Sequence, residues 1–355
     1  MSTYIGLDVH SASTTLVAVD EKGKRIGHPV VVETKAKAII DALLTLPQPR
    51  FVCLEEGTQS AWLYEVLSPH AQNVTVVARS ERRDRNRCKD DARDALELAE
   101  MQRTDKIDKP VYKEQGKFKR LRALAAVYRV QVQDSTRTKN RIKAMFRSRG
   151  IAAKGAAVYE ESERETWIAK LPAHMRGPAY LHYRAYDHIQ QLKKAAHDEM
   201  LQEARSHRIV AQLCTVPGLG PIRSAQLVAI IVAPERFRTK RQLWKYAGFG
   251  IVTRTTGDWK PKPQGGFQRV QVQHTRGLNR DHSHTLKDIF NGAAGTVIQE
   301  QDPNCPLFQH YLALTQGKTR HSLAKLTIAR QIAAITLAIW KENSRYDPAN
   351  VRKHT

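Results

Sequence analysis

Over the first hundred residues the apolar positions alternate with polar ones in short runs. Residues 4–10 and 14–19 are two such runs rich in strand formers, and a third covers 26–32 after the turn Glu21-Lys22-Gly23-Lys24. Two-residue periodicity around a glycine-containing turn predicts a three-stranded antiparallel meander. The spacing then changes to a helical one over 35–46, which Pro47 and Pro49 end. A buried strand at 51–54, a helix at 60–67, a strand at 74–77 and a helix at about 90–101 follow. The predicted order is β-β-β-α-β-α-β-α.

Beyond residue 104 the periodicity is helical almost throughout. Leu121, Leu124, Ala125, Tyr128 and Val132 recur at helical spacing inside 117–147, a stretch with many Lys and Arg and one acid, Asp134. A small-residue linker at 150–157 and a second polar helix at about 183–208 predict an antiparallel helical arm. The last third contains Val216-Pro217-Gly218-Leu219-Gly220-Pro221 between two apolar segments, then helices at 224–232, 240–246, 285–298 and 322–340, with a loop or hairpin at 259–271. The pattern divides the chain into an α/β domain (1–104), a helical arm (105–208), a mostly α domain (209–342) and a tail (343–355).

Charge narrows the function. The 355 residues carry 58 Lys+Arg against 35 Asp+Glu, a formal net charge of +23. Such an excess calls for a polyanion, either nucleic acid or an anionic membrane. The strongest apolar stretch, 332–340, falls short of the roughly 20 residues a spanning helix needs. The N-terminus shows no basic region followed by an apolar core. Cys53, Cys88, Cys214 and Cys305 are scattered without paired spacing, which fits a reducing compartment rather than a disulfide or zinc framework. The expectation is a cytoplasmic, nucleoid-associated protein that binds nucleic acid and no membrane.

Four acids suggest chemistry. Asp8 lies in the first predicted strand and Glu55 ends the fourth. Asp91 and Asp94, three apart at a helix start, share a face. Side by side on one sheet, with that helix packed across it, the four carboxylates would repel unless divalent cations lay between them, and hard cations such as Mg²⁺ take oxygen ligands. Glu56 competes with Glu55 for the ligand role, and Asp90 suits a helix cap. Six cations within 79–89 (Arg79, Arg82, Arg83, Arg85, Arg87 and Lys89) precede the aspartates and would guide a phosphate backbone toward them.

The motifs Gly-Leu-Asp-Val at 6–9, Cys-Leu-Glu-Glu-Gly-Thr at 53–58 and Lys-Asp-Asp-Ala-Arg-Asp-Ala at 89–95 resemble the acidic motifs of the DEDD-type insertion-sequence transposases, the group that includes the Piv pilin-gene invertases. The resemblance continues at 216–221, Arg236-Phe237, Gln242-Leu243 and Ala247-Gly248-Phe249-Gly250. It implies a RuvC-like domain of the RNase H fold, with Asp8, Glu55, Asp91 and Asp94 as a metal tetrad holding two Mg²⁺ ions. It further implies a C-terminal transposase domain, DNA substrates, a noncoding guide RNA and a dimer or tetramer. The family carries a nucleophilic serine before a glycine in the C-terminal domain. Here Thr255 and Thr256 precede Gly257, and one of the two stands in the serine's place, Thr256 ahead of Thr255. A threonine nucleophile, hydrolysis by metal-activated water, and a copy unable to transfer strands all remain open.

Other segments fit nucleic-acid contact. The turn holding Gly218 and Gly220 resembles a helix-hairpin-helix, whose backbone N–H groups hold phosphates. Trp244, Tyr246 and Trp259 interleave with Lys240, Arg241, Lys245 and Lys260, a pattern that suits either base stacking or core packing. The basic helix at 117–149 and Arg276, Arg280 and Lys287 add further cations. His282 and His284 read as a polar cluster at a helix start rather than a metal site. Two other classes stay in play beside a transposase: a junction-resolving nuclease that needs the acids alone, and a catalytically decayed nucleic-acid-binding relative.

Overall fold

The computed structural model describes residues 2–78, 90–107, 110–111, 116–255, 259–269 and 274–350, which form two compact units, 1–116 and 117–355.

The first unit holds strands β1 (Thr3–Val9), β2 (Ser13–Val19) and β3 (Val30–Glu33), helix α1 (Ala36–Leu44), β4 (Arg50–Glu55), α2 (Ser60–Leu67), β5 (Asn73–Val77) and α3 (Asp91–Arg103). The sheet order is β3-β2-β1-β4-β5. The meander β1-β2-β3 is antiparallel, and β4 and β5 join parallel on the other side of β1. The third strand starts later than the alternation predicts. Ile26 still donates its N–H to the Ala18 carbonyl at 2.9 Å, but Gly27 turns at φ +75° and Pro29 has no N–H to offer, so pairing resumes only at Val30.

Alternation gives the sheet two apolar faces. Ile5, Leu7, Val52, Leu54, Val74 and Val76 pack on Ile39 and Leu43 of α1 and Leu63 and Leu67 of α2. On the opposite face Cys53 and Val77 meet Leu98 of α3. Gly6 lets α3 come down onto β1. A Cβ built there would lie 1.8 Å from the Ala95 carbonyl oxygen and 2.7 Å from the Ala99 nitrogen. The unit is thus three layers, with α3 held against the strand that carries Asp8.

The second unit is mainly helical. It runs α4 (Lys119–Arg147), α5 (Arg164–Ala169), α6 (Ala173–Arg205), α7 (Arg208–Leu213), α8 (Pro221–Ile231), α9 (Lys240–Tyr246), β6 (Ile251–Thr255), β7 (Trp259–Pro261), β8 (Phe267–Arg269), β9 (His274–Leu278), α10 (His284–Glu300), α11 (Pro306–Gln316) and α12 (His321–Glu342). Helices α4 and α6 form an antiparallel pair. Its far end closes on a small core of Ile142, Phe146, Val158, Ile168 and Tyr183, and Arg164 clamps Asp187 with two bonds of 2.6 and 2.7 Å. α6 starts ten residues before the predicted 183, because Pro178 near its N-terminal end forfeits only one hydrogen bond while Ala179 is buried beside it.

The root of the arm is not separate from the C-terminal helices. Phe118 at the N-cap of α4, Leu121 and Ala125 in its first turns, and Met200 and Ala204 of α6 share one core with Leu213, Leu227, Phe249, Phe290 and Ile332. The periodicity places boundaries at 104/105 and 208/209, whereas the compact units meet at 116/117. Helix α12 matches the helix predicted over 322–340 and is, by length and composition, long and apolar enough to cross a bilayer. Its apolar character is used inside the protein, where Ala324, Ile328, Ile332, Ile335 and Ile339 are buried.

Candidate functional site

The acids of the first unit are gathered by strand register and helix docking. Leu7 pairs with Leu54 in the parallel β1–β4 ladder, so Asp8 and Glu55 follow at the C-terminal ends of adjacent strands. Asp8 lies two residues past Gly6 and Glu55 two past Cys53, which puts both on the face that α3 covers. Asp90 caps α3, its carboxylate accepting the Ala92 N–H at 3.1 Å. Because Ala95 and Ala99 rest on Gly6, the preceding turn with Asp91 and Asp94 reaches the Asp8 end of the sheet. Glu56 lies beyond the strand, exposed, and donates its N–H to the Val77 carbonyl at 2.8 Å.

The Asp8 side chain is 14% exposed, against 53% for Asp91. Burial pushes its carboxyl above the usual aspartate range. His10 pulls it back down, and the Asp91 and Asp94 carboxylates push it up again. Burial and the Glu55 carboxylate together raise the Cys53 thiol to about 12, leaving it an inert core group. Asp8, His10 and Glu55 line one cleft of about 330 Å³.

The charge pattern overlooks one member of the cluster. His10 Nε2 lies 3.2 Å from Asp8 Oδ2 and 3.4 Å from Asp91 Oδ1. One donor atom from each of Asp8, His10 and Asp91 falls within 4.8 Å of the others. The signal for His10 was its period: residues 8 and 10 are two apart at a strand end and project to the same side. Two carboxylates and an imidazole make a donor set that fits a divalent cation.

The second unit places the remaining predicted residues unevenly. Thr255 closes β6, paired with His274 of β9. Thr256 and the cationic run Arg79, Arg82, Arg83, Arg85, Arg87 and Lys89 lie outside the described residues. Gly218 turns at φ +77°, and a Cβ there would be 2.3 Å from the Ala293 carbonyl oxygen, so the α7–α8 turn seats directly on α10. Gly220 is the N-cap of α8, whose first residue is Pro221. Arg241 and Lys260 are exposed, and Lys240 sits 5.7 Å from the Trp244 ring centroid.

The aromatics divide between the two readings left open for them. Trp244 donates its indole N–H to the Arg330 carbonyl at 2.9 Å, and it packs on the core together with Tyr246. Trp259 is different. It is 62% exposed, and Phe267, which the charge pattern did not single out, is 67% exposed. The β7–β8 register pairs Trp259 with Arg269 and Pro261 with Phe267, so both rings occupy one side of the ribbon and Lys260 the other. His282 fills the space above Gly248 with both ring nitrogens buried and unbonded. Ser283 caps α10.

Residues 5–149 match the DEDD transposase family model of the IS110 type, and residues 210–299 match the model of the transposase IS116/IS110/IS902 family. The chain is 21% identical to the insertion element IS116 uncharacterized 44.8 kDa protein of Streptomyces clavuligerus, over 98% of this chain and 96% of that relative.

Proposed function

The chain belongs to the IS110 family of DEDD transposases, and from that premise we propose that it cuts the ends of its own insertion element and joins them to target DNA. The first unit is then a RuvC-like catalytic domain in which Asp8, Glu55, Asp91 and Asp94 hold two Mg²⁺ ions. One observation carries this reading: the β1–β4 register and the seating of α3 on Gly6 bring carboxylates from three elements to one end of the sheet. Burial first, and then the Asp91 and Asp94 carboxylates, hold the Asp8 carboxyl above its usual range, and a divalent cation offsets the cost of ionising it there.

When bound, the ions supply Lewis acidity to the phosphodiester and stabilise its attacking and leaving oxygens. Asp8 and Glu55 approach from the sheet, and Asp91 and Asp94 from the helix, so the acids grip from two layers. Thr256 supplies the hydroxyl. Its Oγ gives up its proton as the Oγ–phosphorus bond forms, the bond from phosphorus to the leaving deoxyribose oxygen breaks, and that oxygen takes up a proton in exchange, so no net proton is gained or lost. The threonine methyl narrows the approach and restricts χ1, so attack is slower than with serine. Backbone N–H groups at the α7–α8 turn (Gly218, Gly220) and the cations Lys240, Arg241 and Lys260 hold the DNA backbone, with Arg79, Arg82, Arg83, Arg85 and Arg87 leading it to the acids.

A noncoding RNA from the element's flanks directs the choice of site, and several protomers synapse two DNAs through the arm. Val127, Val130 and Val132 are exposed along α4, the kind of apolar surface a second copy covers. Trp259 and Phe267 are the stacking platform for unpaired bases. Stacking is worth about 1–3 kcal/mol per base, so the double change W259A/F267A lowers affinity for single-stranded RNA or DNA about tenfold or more. The salt slope stays as it was, since no phosphate contact is lost. Fluorescence anisotropy across a salt series measures both quantities.

The decisive test combines Mg²⁺, supercoiled DNA carrying the element's ends, and RNA transcribed from its flanks. The expected result is Mg²⁺-dependent cleavage with a covalent protein–DNA adduct that maps by mass spectrometry to Thr256 and disappears in Thr256→Val. Recombination with no adduct at Thr256 or Thr255 removes the nucleophile assignment. Cleavage that survives valine at both positions identifies a junction-resolving nuclease instead. Salt-dependent binding without any cleavage identifies a decayed relative.

A further inference from the structure

We propose that His10 is a nitrogen ligand of the cation held by Asp8 and Asp91, giving the site a mixed nitrogen–oxygen donor set that raises its affinity for Mn²⁺ relative to Mg²⁺. The inference rests on the metal-site reading above and adds a ligand that the acidic tetrad does not contain.

The backbone of His10 is fixed before any ligand arrives. Its N–H donates to the Ser13 carbonyl at 2.9 Å, closing the β1–β2 turn. Its carbonyl accepts the Thr34 hydroxyl at 2.9 Å, and the Thr34 N–H in turn donates to the Ala12 carbonyl at 2.9 Å. The Thr34 hydroxyl also meets that of Thr14 at 2.9 Å. The segment after β3 therefore straps the turn from outside and holds the imidazole beside the acids.

The donor spacing fits coordination. A single atom, Nε2, faces Asp8 Oδ2 at 3.2 Å and Asp91 Oδ1 at 3.4 Å. Ligand atoms in adjacent octahedral positions with metal bonds of about 2.1 Å stand about 3 Å apart. His10 Nε2 is within a few tenths of an ångström of that spacing from both carboxylates, and all three donors lie within 4.8 Å of one another. Donor chemistry then sets the preference. Mg²⁺ binds oxygen and parts reluctantly with its water, so a neutral imidazole adds little to its affinity. First-row transition ions accept imidazole nitrogen together with carboxylate oxygen. Mn²⁺ is close enough to Mg²⁺ in size and geometry to occupy the same site, and it gains from the nitrogen.

The test uses the full chain without DNA and reads binding rather than cleavage. Free Mn²⁺ is counted by electron paramagnetic resonance, and direct ¹⁴N coordination is read from electron spin echo envelope modulation. The expected result is bound Mn²⁺ carrying a coordinated ¹⁴N. In His10→Ala the nitrogen signal vanishes, and the Mn²⁺ dissociation constant rises about tenfold or more, at least what loss of an outer-shell partner costs. Mg²⁺ affinity, measured by competition, stays the same. Thr34→Val keeps the imidazole but removes the hydroxyl bonds to the His10 carbonyl and Thr14, and it gives an intermediate Mn²⁺ affinity with the nitrogen signal retained. Bound Mn²⁺ with no ¹⁴N coupling in the unaltered chain overturns the role of His10 and leaves the metal site standing. Mn²⁺ binding no stronger in the unaltered chain than in Asp8→Asn overturns the metal site itself.

Discussion

Gly6→Ala is expected to abolish activity and to cost the N-terminal unit about 3 kcal/mol or more, at the upper end of overpacking penalties. The added Cβ would stand 1.8 Å from the Ala95 carbonyl oxygen and 2.7 Å from the Ala99 nitrogen. Both are backbone atoms of α3, so no rotamer change relieves the clash. Restoring a carbon–oxygen contact of about 3.3 Å requires α3 to lift by about 1.5 Å. That helix carries Asp91 and Asp94, whereas Asp8 and Glu55 stay on the sheet. A displacement of about 1 Å at a catalytic centre already costs about a hundredfold in rate. Even a variant that folds would therefore hold its acids too far apart. Chemical denaturation and Mn²⁺ binding measure the two effects separately. Gly277→Ala is the control: it sits in β9, where a Cβ meets nothing within 4 Å. Unchanged stability and metal binding in Gly6→Ala would mean that α3 does not rest on β1.

Asp8→Asn is expected to stop cleavage while leaving DNA binding in place, and to make the metal-free protein more stable. Lewis-acid stabilisation is worth several kcal/mol, so losing it costs about a thousandfold in rate or more. The stability effect has the opposite sign. Burial, Asp91 and Asp94 raise the folded-state pKa of Asp8 against the pull of His10. Between the ordinary aspartate value and the raised one, the folded chain keeps a proton that the unfolded chain has released. Stability therefore falls as pH rises through that window, and the cost is fully present at neutral pH. Asparagine carries no charge and escapes it. The metal-free melting temperature of Asp8→Asn should exceed that of the unaltered chain by a few degrees at pH 7 and by less at pH 4. Mg²⁺ should raise the melting temperature of the unaltered chain only. A lower melting temperature at pH 7 for Asp8→Asn would show Asp8 to be a structural partner rather than a held-open ligand.

Much of this was visible as pattern. Alternation at 4–10 and 14–19 and the apolar run at 51–54 locate the strands, because a half-buried sheet demands one apolar face every second residue. The same periodicity places Asp8 in the first strand and Glu55 at the end of the fourth. The exposure of residues was less visible. Trp244 and Trp259 have similar neighbours in sequence, yet one is bonded to Arg330 inside the core and the other is 62% exposed on a two-stranded ribbon.

The sequence by itself determined the order of elements, the excess of positive charge and the four acids in their motifs, since periodicity and composition are local properties. Only the tertiary structure decided which carboxylates meet and what joins them. The β1–β4 register set Asp8 beside Glu55, and the missing side chain at Gly6 let α3 bring Asp91 within reach of Asp8 and His10. Those are contacts across some eighty residues of chain, fixed by how closely a helix can approach a strand, and no local pattern encodes that distance.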